Sequence, residues 1–341
     1  MSSEIRKDYF LNRYVIITPI RFKRPRSTIT RTFFVKEKEC PFCPENIEKN
    51  LIIKPYFRNK YSSLPKSRFL SGAKGSYFRD TLQAGGLPGR RQKAKTWQIM
   101  VLENKFPVVS LKSIKAFGQN EVVVETPRHN KDLSESSIEE IMNLLYVFEE
   151  RTRELSKIKK IEYILIFKNE GGKAGASLVH AHSQVFALGI LPPDVEEEIS
   201  LAYKYKIVNG SCPYCDIIKK EEHSPRLIFA DSKVVAIAPY APSYHYEAWI
   251  FPRRHIDNIS CLNKGETRSF AVVMKKILSK ITKQNLSYNF FLHQVIKEKD
   301  QHFCLKIQPR EAVWGGIELG SGLIVNSISP EEAAKFYRSK F

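Results

Sequence analysis

The sequence lacks any run of about 18 consecutive apolar residues, the length needed to cross a bilayer. Its first residues also lack the apolar segment and small-residue cleavage site of a secretory signal peptide. No long tail of single-sign charge is present. These absences predict a soluble, cytoplasmic protein that has no membrane partner.

Positive charge is in excess. Lys and Arg number 55 against 36 Asp and Glu, which gives a formal net charge of +19. Such a balance favours anionic partners, with nucleic acid among the candidates. The alternative is a basic surface spread over the chain, and we favour it because no segment concentrates the charge. At 43% hydrophobic residues, the 341-residue chain can fill a sizeable core in two ordinary domains or one large domain.

Cysteines are few, but four of the six form C-x-x-C pairs. In a chain without a secretory signal, such pairs indicate metal binding rather than disulfides. A thioredoxin-like redox pair is the alternative, but two pairs and several distant histidines favour zinc. The pairs are Cys40 with Cys43 and Cys212 with Cys215.

The order of motifs after each pair is the same. A strand ending in Pro, Arg and His is followed by a helix, a second strand and then H-x-H or H-x-C. His129 precedes His180 by 51 positions, and His255 precedes His302 by 47. This shared order predicts an internal duplication and an α+β fold, in which each half is an antiparallel sheet flanked by helices. The predicted halves are residues 1–195 and 196–341.

Two capping boxes compete for the start of the first predicted helix: Ser136 with Glu139, and Ser137 with Glu140. Near the end of the chain, Ser329 followed by a proline predicts the start of a short final helix.

Each half offers four ligands of the types that structural zinc prefers, two Cys from one tight turn and two His from later in the chain. Because the matching His positions recur in both halves, we expect two structural zinc ions per chain. The two predicted ligand sets are Cys40, Cys43, His129 and His180, and Cys212, Cys215, His255 and His302.

Residues 179–187, "VHAHSQVFA", place polar side chains at alternate positions of a predicted strand, so they share one face. With His180 bound to metal, His182 is the candidate nucleophile, because an imidazole nitrogen can form a phosphoramidate near neutral pH. The neutral amide of Gln184 can donate a hydrogen bond to a phosphoryl oxygen.

The segment just before this strand, "NEGGKAGAS" at residues 169–177, is rich in glycine. Its backbone N–H groups can approach a phosphate closely, and Lys173 and Ser177 can add donors. A glycine-rich loop leading into the H-x-H-x-Q pattern indicates a phosphate-binding site.

These motifs, in their order, resemble the galactose-1-phosphate uridylyltransferase family, a branch of the histidine-triad superfamily. The resemblance covers nearly the whole chain, including "CPFCPEN", "NEVVVETPRHN", "NEGGKAGASLVHAHSQ" and "ELGSGLIVNSISPEEAA". It implies two histidine-triad-like halves, a homodimer, and ping-pong transfer of UMP between UDP-glucose and galactose 1-phosphate through a nucleotidyl-histidine intermediate. The implied partners are a sugar nucleotide and a sugar 1-phosphate.

The resemblance also implies individual roles. His182 would accept the nucleotidyl group and Gln184 would contact it. A larger set would bind substrate: the phosphate loop, an arginine pair near the phosphates, a residue beside the nucleoside and a carboxylate on the sugar hydroxyls. The implied residues are Asn169, Gly175 and Ser177 in the phosphate loop, Arg21 and Arg24 near the phosphates, Asn104 beside the nucleoside and Glu318 on the sugar hydroxyls.

Two positions depart from the family pattern. Ala181 stands where proline is common between the two histidines, and Cys304 stands where many relatives have His. The second departure favours the C-x-x-C zinc variant, which ADP-glucose phosphorylase-like relatives share. An ADP-glucose or dinucleoside polyphosphate phosphorylase is therefore the alternative function. A nucleic-acid-binding zinc ribbon is disfavoured, because ribbon ligand pairs lie about 15 to 20 residues apart, whereas Cys43 and His129 are 86 positions apart.

Overall fold

The computed structural model describes residues 3–19, 36–57, 97–297, 301–311 and 313–339. Within these ranges the chain forms thirteen strands and six α-helices. The strands are β1 (Glu4–Lys7), β2 (Tyr14–Ile17), β3 (Ile52–Phe57), β4 (Trp97–Glu103), β5 (Gly118–Val124), β6 (Tyr163–Glu170), β7 (His182–Leu188), β8 (Leu227–Ala230), β9 (Val234–Ile237), β10 (Ala248–Pro252), β11 (Tyr288–His293), β12 (Cys304–Pro309) and β13 (Ile324–Asn326). The helices are α1 (Ile138–Ser156), α2 (Pro193–Asn209), α3 (Pro213–Glu221), α4 (Lys264–Lys283), α5 (Gly316–Ser321) and α6 (Pro330–Arg338).

Ten strands form one sheet in the order β3-β4-β5-β7-β6-β11-β12-β10-β9-β8. The order reads as a mirror image about its centre, where β6 pairs antiparallel with β11. Every other neighbouring pair in this sheet is also antiparallel. The predicted α+β class with two similar halves is confirmed, and the two five-stranded halves join edge to edge.

Helices α1 and α4 pack on one face of the sheet and on each other. Apolar side chains at helical spacing point from both helices into the core. Ile141, Leu145 and Phe148 from α1 and Phe270 and Ile277 from α4 are all nearly or fully buried. Burying each such side chain stabilises the fold by roughly 1.5–3 kcal/mol. The main hydrophobic core therefore lies on this side of the sheet.

Helix α1 begins with the second of the two predicted capping boxes. The Ser137 hydroxyl accepts from the backbone N–H of Glu140, and the Glu140 carboxylate accepts from the backbone N–H of Ser137. The predicted final helix is also confirmed, with Ser329 as its N-cap. Both helices begin where their sequences satisfy the first free N–H groups.

The opposite face of the sheet differs between the halves. In the second half, α3 and part of α2 cover it, and Tyr214 and Ile217 pack there against Trp249, Phe251 and Cys304. In the first half, a smaller apolar cluster of Met100, Leu102, Val122 and Val124 lies on that face beside the start of β7.

Strands β1 and β2 form a separate three-stranded sheet with β13, which pairs parallel to β2. The N-terminal strands therefore lie beside the last part of the chain. None of the helices in the described ranges is both long and apolar enough to cross a membrane.

Candidate functional site

The four predicted ligands of the first half meet in the buried interior. The Cys43 Sγ lies 3.4 Å from the His129 Nδ1 and 3.7 Å from the His180 Nδ1, and the Cys40 Sγ lies 3.6 Å from the same His180 nitrogen. A zinc ion bound tetrahedrally, at about 2.3 Å to sulfur and about 2.0–2.1 Å to nitrogen, would place the sulfur and nitrogen ligand atoms about 3.6 Å apart. The donor set and spacing fit a metal ion.

The second set repeats this arrangement. The Cys215 Sγ lies 3.5 Å from the Nδ1 atoms of both His255 and His302, and all four donor atoms lie within 4.8 Å of one another. This cluster is more open, because His255 is exposed and both cysteines are only partly buried. Both clusters could hold a metal ion, and the second is the more accessible to solvent.

A second contact orients one histidine in each cluster. The Nε2–H of His180 donates to the Thr126 carbonyl at 2.7 Å, and that of His302 donates to the Pro252 carbonyl at 2.9 Å. Each acceptor precedes another predicted ligand, His129 or His255, by three positions. In both halves this bond leaves the Nδ1 free for the metal, as outer contacts of ligating histidines commonly do.

His182 begins strand β7, directly beside the first cluster. Its Nδ1–H donates to the His180 carbonyl at 2.8 Å, which leaves the Nε2 lone pair unprotonated. Burial, the largest cause, together with the charge of Lys168 lowers the pKa of His182 to about 4. The ring is therefore neutral at pH 7, the form required of a nucleophile.

Gln184 lies on the same face of β7, two residues further on, and is half-buried. It pairs with Val122 on β5 and with Phe167 on β6, so it lies between these two strands. An amide placed there can donate to a group bound at His182 without any change of its own charge.

The glycine-rich loop follows β6 and leads toward His182 at the start of β7. Gly171 and Gly175 have φ angles of +81° and +83°, a region that side chains rarely adopt. At Gly171 an added Cβ would lie 2.4 Å from the Ser287 hydroxyl, so that position requires glycine. The Asn289 side chain donates to the Asn169 side chain and to the Ala174 carbonyl, both at 2.8 Å. The second half of the sheet thus fixes the loop, a contribution that the sequence analysis missed.

The sequence also did not predict a group of buried charged side chains beneath the strand that presents His182. The Lys168 ammonium is fully buried, 3.0 Å from the Glu125 carboxylate and 3.1 Å from that of Glu170. The Ser183 hydroxyl donates to Glu125 at 2.5 Å. The only signal in the sequence was a lysine at an inward position of an otherwise apolar strand, "YILIFKNE".

Two other predicted residues make local hydrogen bonds, and two cannot be placed. Arg21 and Arg24 lie outside the described residues. Asn104 follows β4, and its Oδ1 accepts from the Phe106 backbone N–H at 2.9 Å. Glu318 caps the exposed helix α5 by accepting from the Gly315 N–H at 2.8 Å. In the described ranges no hydrogen bond or ion pair joins Glu318 to His182.

The second half has different groups at the positions of His182 and Gln184, namely Cys304 and Lys306. Cys304 is fully buried and packs as a small apolar side chain. Burial raises the pKa of its thiol to about 12, so it is uncharged at neutral pH. The Lys306 ammonium lies 3.5 Å from the Glu198 carboxylate of α2.

Comparison with known proteins places this site in a family. Residues 1–192 match the family described as galactose-1-phosphate uridyl transferase, N-terminal domain. Over 99% of its length the chain is 30% identical to an ADP-glucose phosphorylase from Arabidopsis thaliana, of which 93% is covered. It is also 28% identical, over 73% of its length, to a galactose-1-phosphate uridylyltransferase from Thermotoga maritima, of which 87% is covered.

The fold is similar as well. The crystal structure of an ADP-glucose phosphorylase from Arabidopsis thaliana with bound ADP-glucose superimposes with a TM-score of 0.79 at 28% identity, over the full length of both chains. The fold and the site thus define a member of a nucleotidyltransferase family. The chain belongs to the galactose-1-phosphate uridylyltransferase family.

Proposed function

We propose that the chain transfers a nucleotidyl group from a sugar nucleotide to an acceptor through a covalent intermediate on His182. One observation carries the proposal: the buried His182 ring donates its Nδ1–H to the His180 carbonyl and so presents an unprotonated Nε2 beside a glycine-rich loop. That combination supplies a nucleophile next to backbone donors suited to phosphate.

In the first half-reaction the His182 Nε2 attacks the α-phosphorus of the sugar nucleotide. A P–N bond forms, and the P–O bond to the departing sugar 1-phosphate breaks. The Gln184 amide and the N–H groups of the 169–177 loop donate to the phosphoryl oxygens, where negative charge builds up. In the second half-reaction an acceptor oxygen attacks the same phosphorus, and the neutral imidazole leaves.

Two substrate pairs fit this chemistry. One is UDP-glucose with galactose 1-phosphate, as in a uridylyltransferase of galactose metabolism. The other is ADP-glucose, or a dinucleoside polyphosphate, with inorganic phosphate. The similarity to an ADP-glucose phosphorylase spans nearly the whole chain, whereas that to the Thermotoga maritima uridylyltransferase spans 73% of it. We therefore favour the adenylyl version.

The proposed metal content is two structural zinc ions per chain, one in each Cys2His2 cluster, because thiolate and imidazole donors in a closed tetrahedron suit zinc. Zinc bound in this way crosslinks distant segments of the chain.

We also propose that residues 1–195 and 196–341 form the two domains and that the protein is a cytoplasmic homodimer. Light scattering measures the mass of the particle in solution and so tests the dimer directly.

Substrate preference is tested by steady-state assays that cross both donors with both acceptors. We expect release of glucose 1-phosphate and ADP from ADP-glucose with inorganic phosphate, at a kcat/KM at least tenfold above that for UDP-glucose with galactose 1-phosphate. The reverse ranking would select the uridylyltransferase version. Absence of turnover with both pairs, and with dinucleoside polyphosphates and inorganic phosphate as well, would contradict the proposed function.

A further inference from the structure

The turn that carries Cys40 and Cys43 also places an aromatic ring against the nucleophile. Phe42 lies between the two cysteines, and its ring centroid is 5.1 Å from that of His182 and 6.2 Å from that of His180. The planes of the Phe42 and His182 rings are tilted by 54°. Aromatic rings at 4.5–7 Å in tilted arrangements attract each other, so Phe42 restricts the rotation of the His182 imidazole.

The turn itself is firmly held. The backbone N–H of Cys43 donates to the Cys40 carbonyl at 3.2 Å, and the Asn46 side chain donates to the same carbonyl at 2.8 Å. Phe42 packs against the apolar cluster that includes Val122 and Val124. This cluster lies on the face of the sheet opposite to α1 and α4. Val124 is the strand partner of His182. The ring therefore contacts both this cluster and the imidazole, and the turn fixes its backbone.

The other contact on His182 comes from the same cluster of ligands. Its Nδ1–H donates to the backbone carbonyl of His180, which is one of the four predicted ligands. The imidazole is thus restrained in two ways, by a hydrogen bond from its Nδ1–H and by the tilted contact with the Phe42 ring. Both restraints originate in residues of the metal-binding segments.

We propose that Phe42 is a positioning residue for nucleotidyl transfer, which holds the His182 ring so that its Nε2 points at the α-phosphorus. The inference rests on the proposed role of His182 as the nucleophile. Productive attack requires the reacting atoms to lie about 3–3.5 Å apart and in line, and a misplacement of about 1 Å can cost on the order of 100-fold in rate. A free imidazole ring sweeps its Nε2 through more than that distance.

The second half of the chain has an aromatic residue at the matching position. Its C-x-x-C also contains proline and an aromatic residue, Tyr214, which packs in one cluster with Cys304. There the ring covers a buried thiol, and its hydroxyl bonds to Glu198. The second C-x-x-C, which forms the start of helix α3, therefore brings an aromatic ring to the matching position. Only in the first half does that ring meet a nucleophile.

The kinetic test uses the variant Phe42→Ala with Phe42→Leu and Ile47→Ala beside it. Ile47 packs against the same apolar cluster, so its truncation removes similar apolar contact while it leaves the ring on His182. In Phe42→Ala we expect the single-turnover rate of His182 nucleotidylation at saturating sugar nucleotide to fall about 10- to 100-fold. Substrate Kd and zinc content should be unchanged within twofold. Phe42→Leu should be intermediate, and Ile47→Ala close to the parent.

An unchanged rate in Phe42→Ala would overturn the inference. So would a loss that appears entirely as weaker substrate binding, because the ring would then be a substrate contact rather than a positioning residue. An equal loss in Ile47→Ala would also overturn it, since the effect would then come from the apolar cluster and not from the ring.

A substrate-free measurement separates this inference from the proposed function. Nitrogen-15 NMR of the histidine side chains should show His182 in the Nδ1–H form, with ring protons shifted by the Phe42 ring current. In Phe42→Ala that shift should vanish and the Nδ1 signal should move toward the average of the two tautomers. An unaltered His182 spectrum would sink the inference even if transfer occurs. A parent protein that shows the predicted spectrum but forms no adduct would instead count against the proposed function alone.

Discussion

The Lys168 ammonium lies 3.0 Å from the Glu125 carboxylate, beneath the strand that presents His182. Both side chains are almost completely buried. Glu125 follows the strand partner of His182, and it accepts from Ser183, the next residue after His182. The pair therefore ties together β6, β7 and the end of β5, directly below the candidate nucleophile.

Replacing Lys168 should destabilise the protein strongly. Lys168→Met leaves the carboxylate of Glu125 buried without its cation, and breaking such a pair costs about 3–5 kcal/mol. The matched control is Lys54→Met, which breaks an ion pair with Glu150 where the lysine is about half exposed. That change should cost no more than about 1 kcal/mol. Urea unfolding measures both, and equal losses would contradict the assignment of Lys168 as a structural cation.

Glu170 should make the stability depend on pH. Burial, the largest cause, raises the pKa of its carboxyl to about 7, although Lys168 opposes the shift. The folded state therefore binds more protons than the unfolded state between the ordinary pKa of glutamate, about 4.3, and pH 7. Stability from this group falls as the pH rises through that window.

Glu170→Gln removes the penalty of ionising this buried group. We compare the free energy of unfolding of the variant with that of the parent. The difference in favour of the variant should be about 1 to 3 kcal/mol larger at pH 8 than at pH 5. Glu139→Gln, at an exposed position of α1, is the control and should show no comparable change. Thermal or urea unfolding at the two pH values gives the comparison. A gain that is larger at pH 5 would contradict the direction of the Glu170 shift.

The two metal clusters should release their ions at different rates. The first cluster is buried at all four ligands, whereas His255 of the second is exposed and Cys215 is half-buried. A coloured chelator should therefore remove one metal equivalent quickly and one slowly. Cys215→Ser should abolish the fast phase and Cys40→Ser the slow one. Loss of the slow phase in Cys215→Ser would show that the assignment is reversed.

Metal in the buried cluster should also stabilise the fold. At a free zinc concentration 1,000-fold above Kd, binding to the folded state alone contributes about 4.1 kcal/mol. Cys40→Ser should lose a large part of this when unfolding is measured in zinc-containing buffer.

Gln184 should matter for the rate more than for binding. Its amide faces the same side of β7 as His182 and can donate to a phosphoryl oxygen as charge develops there. Gln184→Ala should lower kcat about 100- to 1,000-fold, the usual effect of removing one such donor. Stopped-flow or quenched-flow assays of the first half-reaction check this. A variant with normal kcat and a raised KM would assign Gln184 to ground-state binding instead.

Sequence reasoning could find the ligands because duplication repeats them in order. His302 and His255 were predicted from their counterparts His180 and His129, and the structure brings each set to the two cysteines of its own half. Helix α1 and its capping box were readable because capping and apolar spacing are local properties of the chain.

The remaining features depend on contacts between segments far apart in the sequence. The join between β6 and β11 pairs Lys168 with Phe290, and no periodicity within either strand encodes that pairing. The hydrogen bond from the Asn289 side chain to the glycine-rich loop follows from the same strand pairing. The contact of Phe42 with His182 depends on the direction in which a tight turn points its side chain. These features required the three-dimensional structure.

The role of His182 as the nucleophile is tested most directly by the intact mass of the protein after incubation with ADP-glucose or UDP-glucose in the absence of an acceptor. We expect a nucleotidyl adduct of one equivalent on the parent chain, its removal by the matching acceptor, and no adduct on a folded His182→Ala variant. Absence of an adduct with either donor, or an adduct that persists in His182→Ala, would contradict the assignment of His182 as the nucleophile.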